Sequence, residues 1–237
     1  MIESFAALLF AHVLADFVLQ TGWMVANKRA PAAMLSHIVV VFLTAVAALG
    51  TLHPILLGLA GAHLLVDTLK SFLGRRGLVP FLADQAAHLA SLAALAWLAP
   101  DLWEGGLWSG LAVAPACLAL LAGLILATRA GGFAVGFLME PWASDMPVGL
   151  LGAGRAIGML ERGLVFTLVA TGQTGAIGFL IAAKSVLRFG AVGDDRKISE
   201  YVIVGTLASF AWGIVTAILT LMLLSLLPPL GIPDLSP

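Results

Sequence analysis

The chain has 237 residues, of which 61% are hydrophobic and only 11% charged, and its mean hydropathy is +1.06. Soluble domains carry about 25% charged residues, so this composition excludes a water-soluble globule and predicts a polytopic membrane protein. The net charge of −1 argues against nucleic acid as a partner, and the length suits a single transmembrane domain over 1–237.

The N-terminal run MIESFAALLF contains Glu3 and no basic residue, so it lacks the positive region of a cleaved signal and is expected to be a retained helix. Spans of about 20 residues are predicted near 3–22, 32–50, 54–73, 79–99, 111–128, 154–171, 173–189 and 199–227. The expected fold is all-α, a bundle of about eight spans, or seven if the short, glycine-rich 173–189 segment does not cross. The stretch 130–150 is too polar and too broken by Pro141 and Pro147 to span; a half-helix, a re-entrant loop or an interfacial segment is expected there. The lone cysteine, Cys117, lies in an apolar run and is expected to pack.

With eight spans, the basic groups Lys28/Arg29, Lys70/Arg75/Arg76, Arg129/Arg155 and Arg188/Arg196/Lys197 all fall on one side. The opposite connections, near 51–54, 100–110 and 172–175, contain no lysine or arginine. The positive-inside rule makes the basic side cytoplasmic and places both termini outside. Trp97, Trp103 and Trp108 fit an outer aromatic belt. This topology puts nearly every intramembrane polar group in the inner half: His12, Asp16 and Gln20; Ser36 and His37; His63, Asp67 and Lys70; Asp84, Gln85 and His88; Glu161 and Arg162; Lys184 and Arg188; Glu200 and Tyr201.

Among these groups are three histidine–aspartate pairs at a spacing of four: His12/Asp16, His63/Asp67 and Asp84/His88. Residues four apart share a helix face, about 40° from each other. A carboxylate at mid-membrane costs about 3 kcal/mol, so three of them must be paired, solvated or liganded. One reading is a divalent metal site (Zn, Mn or Fe), with His12, Asp16, His63, Asp67, Asp84 and His88 as ligands, some of them in an outer shell. A second reading is helix glue, each carboxylate paired with a histidine, in a structural or partner-binding subunit. A third is a proton- or ion-coupled transporter, against which counts the confinement of polar groups to one half.

The cations Lys70, Arg155, Arg162, Lys184 and Arg188 suit an anionic substrate, while Arg75, Arg76, Arg129, Arg196 and Lys197 read as topology anchors. Glu161 and Gln85 are the candidate catalytic residues, Glu161 as general acid or base, although a Glu161–Lys184 ion pair is an equal account. The expected activity is hydrolysis or transfer at a phosphate or ester by metal-activated water, on an anionic lipid or cytoplasmic metabolite. The pattern Ala-x-Gly-x-Leu recurs at 134–138, 156–160 and 176–180, where glycine permits close helix approach.

Several motifs together resemble an uncharacterised family of bacterial membrane proteins, domain-of-unknown-function family 3307. They are His12-x-x-Ala15-Asp16-Phe17-x-Leu19-Gln20, His63-Leu64-Leu65-x-Asp67-x-x-Lys70, Asp84-Gln85-x-x-His88, Gly154-Arg155-x-Ile157-Gly158-x-Leu160-Glu161-Arg162, Ala183-Lys184-Ser185-x-x-Arg188-Phe189 and Ser199-Glu200-Tyr201. The resemblance spans nearly the whole chain. It implies a multi-pass protein of the bacterial inner membrane and brings no activity with it.

Overall fold

The structure is a computed structural model. It describes all residues except Arg75, 148–149, 151, 193–195 and 231–237, and leaves out the side chains of Leu73, Asp145 and residues 187–192. Every regular element among the described residues is helical. In chain order these are α1 (Ile2–Leu14), α2 (Gly22–Ala26), α3 (Pro31–Leu49), α4 (Ile55–Leu73), α5 (Leu78–Leu98), α6 (Ala114–Ile125), α7 (Gly131–Met139), α8 (Ala153–Ala170), α9 (Gly175–Val192) and α10 (Arg196–Leu224). The all-α expectation holds.

Among the described residues six helical runs are long and apolar enough to cross a membrane: Ile2–Leu19, Pro31–Leu49, Ile55–Phe72, Leu78–Leu98, Ala114–Ser144 and Arg196–Leu224. That composition is compatible with a multi-pass membrane protein. The expectation was about eight. The two segments outside that count are α8, which carries Arg155, Glu161 and Arg162, and α9, whose side chains are described only as far as Val186.

The chain forms two compact units, one of Met1–Ile125 with the helical end from Met222, the other of Leu126–Leu221. In the first unit α1 packs against α3, α5 and α6, α3 against α4, and α4 against α5. Lipid gives no hydrophobic drive for helices to associate, so close packing has to hold them. The buried face of α1 is accordingly small, with Ala6, Ala7, Ala11 and Ala15 almost wholly buried, and Ala6 meets Ala116, Ala119 and Leu227. At the start of α1 the buried Ser4 hydroxyl donates to the Pro100 carbonyl (2.9 Å) and accepts from the Trp103 N–H (3.1 Å). Trp103 is thereby buried rather than part of an interfacial belt, whereas Trp97 is exposed.

The ends of these helices are set by local chemistry. α1 continues as a π-turn over Ala15–Leu19, and the Thr21 hydroxyl then caps α2 by accepting from the Met24 N–H (3.3 Å). α3 starts at Pro31, after an extended Ala30, and stops at Gly50 with φ +68°. A Cβ on Gly50 would sit 2.8 Å from the Leu107 nitrogen and 2.9 Å from Trp108 Cδ1, so only glycine fits both the conformation and the space.

In the second unit a π-turn at Leu126–Ala130 leads into α7, followed by a 3₁₀ turn at Glu140–Asp145. The 130–150 stretch is thus helical as far as Met139, the half-helix among the three forms expected there. Pro141 falls in the 3₁₀ turn, where it interrupts no helix, and Gly131 and Gly132 make room rather than a break. A Cβ at Gly131 would press on the Trp212 indole, and one at Gly132 would lie 3.3 Å from Arg162 Nη2. The recurring glycines serve no common purpose. Gly136 and Gly178 face open space, while Gly158 lies against the Arg162 guanidinium. Cys117 is exposed on α6 rather than packed inside.

Candidate metal centre

The site forms in the first unit, from antiparallel helices. His12 and Asp16 come late in their helical run, His37 early in α3, His63 and Asp67 in the second half of α4, and Asp84 and His88 early in α5. Antiparallel packing brings all seven to one end of the unit, beside the 20–30 and 74–77 connections. All six residues predicted as metal ligands meet there. His12, His37, His63, Asp67, Asp84 and His88 are each at most 7% exposed, and the Asp16 side chain is 10% exposed.

The imidazole and carboxylate atoms converge closely. His37 Nε2 lies 3.1 Å from His63 Nε2, and Asp16 Oδ1 is 3.4 Å from each of these nitrogens. Asp67 Oδ2 is 3.4 Å from His37 Nε2 and 3.9 Å from His63 Nε2. On the far side of the same carboxylate, Asp67 Oδ1 is 3.9 Å from His88 Nε2, which is 3.7 Å from Asp84 Oδ1. The rings of His63 and His88 lie 4.1 Å apart, centroid to centroid. His12 stands beside them, its Nδ1 3.9 Å from Asp16 Oδ1.

Several of these atoms have no hydrogen-bond partner among the described residues although they are fully buried: Asp16 Oδ1, Asp67 Oδ2, Asp84 Oδ1 and both nitrogens of His88. An unmet buried polar atom costs about 1–3 kcal/mol, more when it is charged. Their presence together marks a place where something positive is wanted.

Two lysines supply part of that charge. Lys28 Nζ donates to Asp67 Oδ1 (3.2 Å), and Lys70 Nζ donates to Asp84 Oδ2. Lys28 is a quarter exposed and Lys70 a third, so they form the outer edge of the centre. Gln85 links the carboxylate to a ring: its Nε2 donates to Asp84 Oδ2 (3.1 Å) and its Oε1 is 3.3 Å from His12 Nε2. That geometry makes Gln85 a positioning residue for Asp84 and His12.

Two members escaped the sequence reading. His37 has no aspartate four residues away on α3; its carboxylates, Asp16 and Asp67, come from other helices. Lys28 entered only among the basic groups that set the orientation, yet its Nζ reaches Asp67. The only signal for either was predicted depth, shared with the three pairs.

The other predicted site residues belong to the second unit. Arg129, Arg155, Glu161, Arg162, Lys184 and Tyr201 line a cavity of about 470 Å³ among α7, α8, α9 and α10. Glu161 accepts from Lys184 Nζ (2.7 Å), the ion pair that was the equal alternative to a catalytic role. Arg162 is 3% exposed and largely committed. Its Nε donates to the Ala127 carbonyl (2.8 Å), Nη2 to the Thr128 carbonyl (2.7 Å) and Nη1 to the Ser209 hydroxyl (3.2 Å). Those carbonyls are ones the π-turn displaces from ordinary helical bonding, and Trp212 Nε1 satisfies a third, that of Leu126 (2.9 Å). Arg162 therefore holds the turn in place, which is a structural task before it is a substrate-binding one. The side chain of Arg188, the remaining predicted anion ligand, lies outside the described residues, as does Arg75.

No curated protein and no solved structure matches the chain. The match to a family model covers residues 4–104, which hold all seven converging residues; the motifs at 154–162, 183–189 and 199–201 lie beyond it. What those residues are similar to is the family described as protein of unknown function (DUF3307).

Proposed function

We propose that the first unit is a metal-dependent enzyme site, hydrolysing or transferring an anionic phosphate or ester. One observation carries the reading: three donor atoms, His37 Nε2, His63 Nε2 and Asp16 Oδ1, stand 3.1–3.4 Å from one another, with Asp67 Oδ2 3.4 Å from the first of them. A tetrahedral ion with bonds of about 2.0–2.1 Å has donor–donor edges of about 3.3–3.4 Å. The nitrogen and oxygen donor set suits Zn, Mn or Fe. Such an ion would lower the pKa of bound water and supply a hydroxide nucleophile near neutral pH. Lys28 and Lys70 sit on the exposed side of the centre, where an incoming anion would meet them. In a multi-pass protein of the bacterial inner membrane, with its basic connections inside, that side faces the cytoplasm and its leaflet. The substrate is then an anionic lipid headgroup or a cytoplasmic metabolite.

A structural role is favoured by one fact, that Lys28 and Lys70 already neutralise Asp67 and Asp84. Elemental analysis separates the two readings. Protein purified in detergent without chelators is expected to hold a first-row transition metal, which Asp16→Ala removes. It is also expected to release phosphate or alcohol from a simple aryl ester in a chelator-sensitive reaction. Wild-type protein that holds no such metal, and takes none up when it is offered, would leave the lysine-paired structural role.

A further inference from the structure

We propose that the centre is built for two ions, bridged by the carboxylate of Asp67. This rests on the metal reading above and extends it. The two oxygens of Asp67 serve different donor sets. Oδ2 flanks the group of Asp16, His37 and His63, 3.4 Å from His37 Nε2 and 3.9 Å from His63 Nε2. Oδ1 lies with His88 Nε2 and Asp84 Oδ1, a second group whose ligand atoms fall within 4.8 Å of one another. Apart from Asp67 the two groups share no residue. The second group holds three of the unpartnered buried atoms, Asp84 Oδ1 and the two nitrogens of His88. His88 is 1% exposed, so no solvent meets that need.

A third grouping, His12, His63 and His88, also lies within 4.8 Å. It takes one histidine from each of the other two, so it competes with both and leaves Asp16, Asp67 and Asp84 without ions. The bridged arrangement employs all three carboxylates, and His12 then supports Asp16 and Gln85 from outside.

The lysines fit the same scheme. Lys28 occupies Asp67 Oδ1 and Lys70 occupies Asp84 Oδ2, both on ligands of the second ion. No lysine touches a ligand of the first group other than the bridge. The first ion thus enters a site free of ammonium competition, while the second must displace Lys28 from Asp67. Binding is therefore ordered, the second ion being the weaker. A displaced ammonium beside two ions suits an oxyanion with several oxygens. Bridged ions about 3.5–4 Å apart hold the attacking and leaving oxygens of a phosphate ester, and this narrows the substrate class to phosphate esters.

The test is a titration of full-length, chelator-stripped protein in detergent with Mn²⁺, read by bound-ion stoichiometry and electron paramagnetic resonance. The expected result is two ions per chain, an isolated six-line signal at the first equivalent, and exchange coupling at the second. His88→Ala and Asp84→Asn should each stop at one uncoupled ion. His37→Ala should weaken the first ion by about 100-fold and lose the coupling. Lys28→Met should tighten the second ion without changing the first. His12→Ala should keep two coupled ions. Saturation at one ion in the wild type, with that ion retained in His88→Ala, overturns the bridge and leaves the single-ion enzyme standing. Loss of the ion in His12→Ala, with its retention in His37→Ala, overturns the bridge in favour of the three-histidine group. No ion at all overturns both proposals.

Discussion

The two units solve the same problem, ionisable side chains within apolar helices, in opposite ways. In the second unit the polar groups are largely matched. Arg162 reaches two displaced carbonyls and a hydroxyl, Trp212 reaches a third carbonyl, and Glu161 meets Lys184. In the first unit, seven buried imidazoles and carboxylates crowd together while Asp16 Oδ1, Asp67 Oδ2 and Asp84 Oδ1 go unpartnered. A matched cluster needs nothing further to be stable. An unmatched one is stable only at the expense of the fold around it, or with a ligand. The difference gives the second unit's arginine an architectural task and leaves the first unit's histidines and carboxylates as the candidates for binding.

The comparison breaks most readily at Arg162. Replacing it with Met removes the guanidinium's bonds to the Ala127 and Thr128 carbonyls and the Ser209 hydroxyl. Loss of a buried hydrogen-bond partner costs about 1–3 kcal/mol per group. Unfolding of Arg162→Met in the same detergent as the wild type is expected to show this loss, with metal content unchanged. A variant of unaltered stability that no longer binds metal would reverse the roles of the two units.

Asp16→Asn probes the other side, with an effect of opposite sign. No lysine pairs with Asp16, so the substitution removes an uncompensated buried charge from the metal-free protein. Replacement of a buried ionic group is often neutral or stabilising, and the stripped variant is expected to match or exceed the stripped wild type by about 1 kcal/mol. Metal should then stabilise only the wild type, by about 2.7 kcal/mol at 100 times the dissociation constant. Paired melting curves with and without metal test both halves of this statement.

The sequence disclosed the first unit well because its signal is periodic. A histidine and an aspartate four apart must share a helix face, and three such pairs on α1 with its π-turn, α4 and α5 were enough to foresee their meeting. His37 was invisible for the converse reason, since its partners lie across helix interfaces and no local spacing encodes them. The second unit was harder to read. Arg162 answers carbonyls that a π-turn displaces, and such a turn leaves no side-chain signature at Leu126–Ala130. Arg155, Arg162 and Lys184 were assigned, from charge and predicted depth, to an anionic substrate at the histidine–aspartate centre, whereas they line a cavity of their own. Nor does sequence reveal the indole and guanidinium that fill the space above Gly131 and Gly132.

That space allows a smaller test of how tightly the matched network is held. Gly158 lies one helical turn before Arg162, and a Cβ there would come 2.9 Å from Nη1. In an unpinned side chain the guanidinium would simply swing away. Here Nε, Nη1 and Nη2 are all bonded, so relief must come from lengthening those bonds or shifting α8. Gly158→Ala also gains helix propensity, worth up to about 1 kcal/mol in its favour. The expected net change is therefore a modest loss of about 1 kcal/mol, as overpacking of a tight site gives. In the Arg162→Met background the obstacle is gone, and the same substitution should become neutral or stabilising. A double-mutant cycle over Gly158 and Arg162 is expected to show a coupling of at least about 1 kcal/mol. Additive effects would mean that the guanidinium is free to move, and that the matched network is looser than its hydrogen bonds imply.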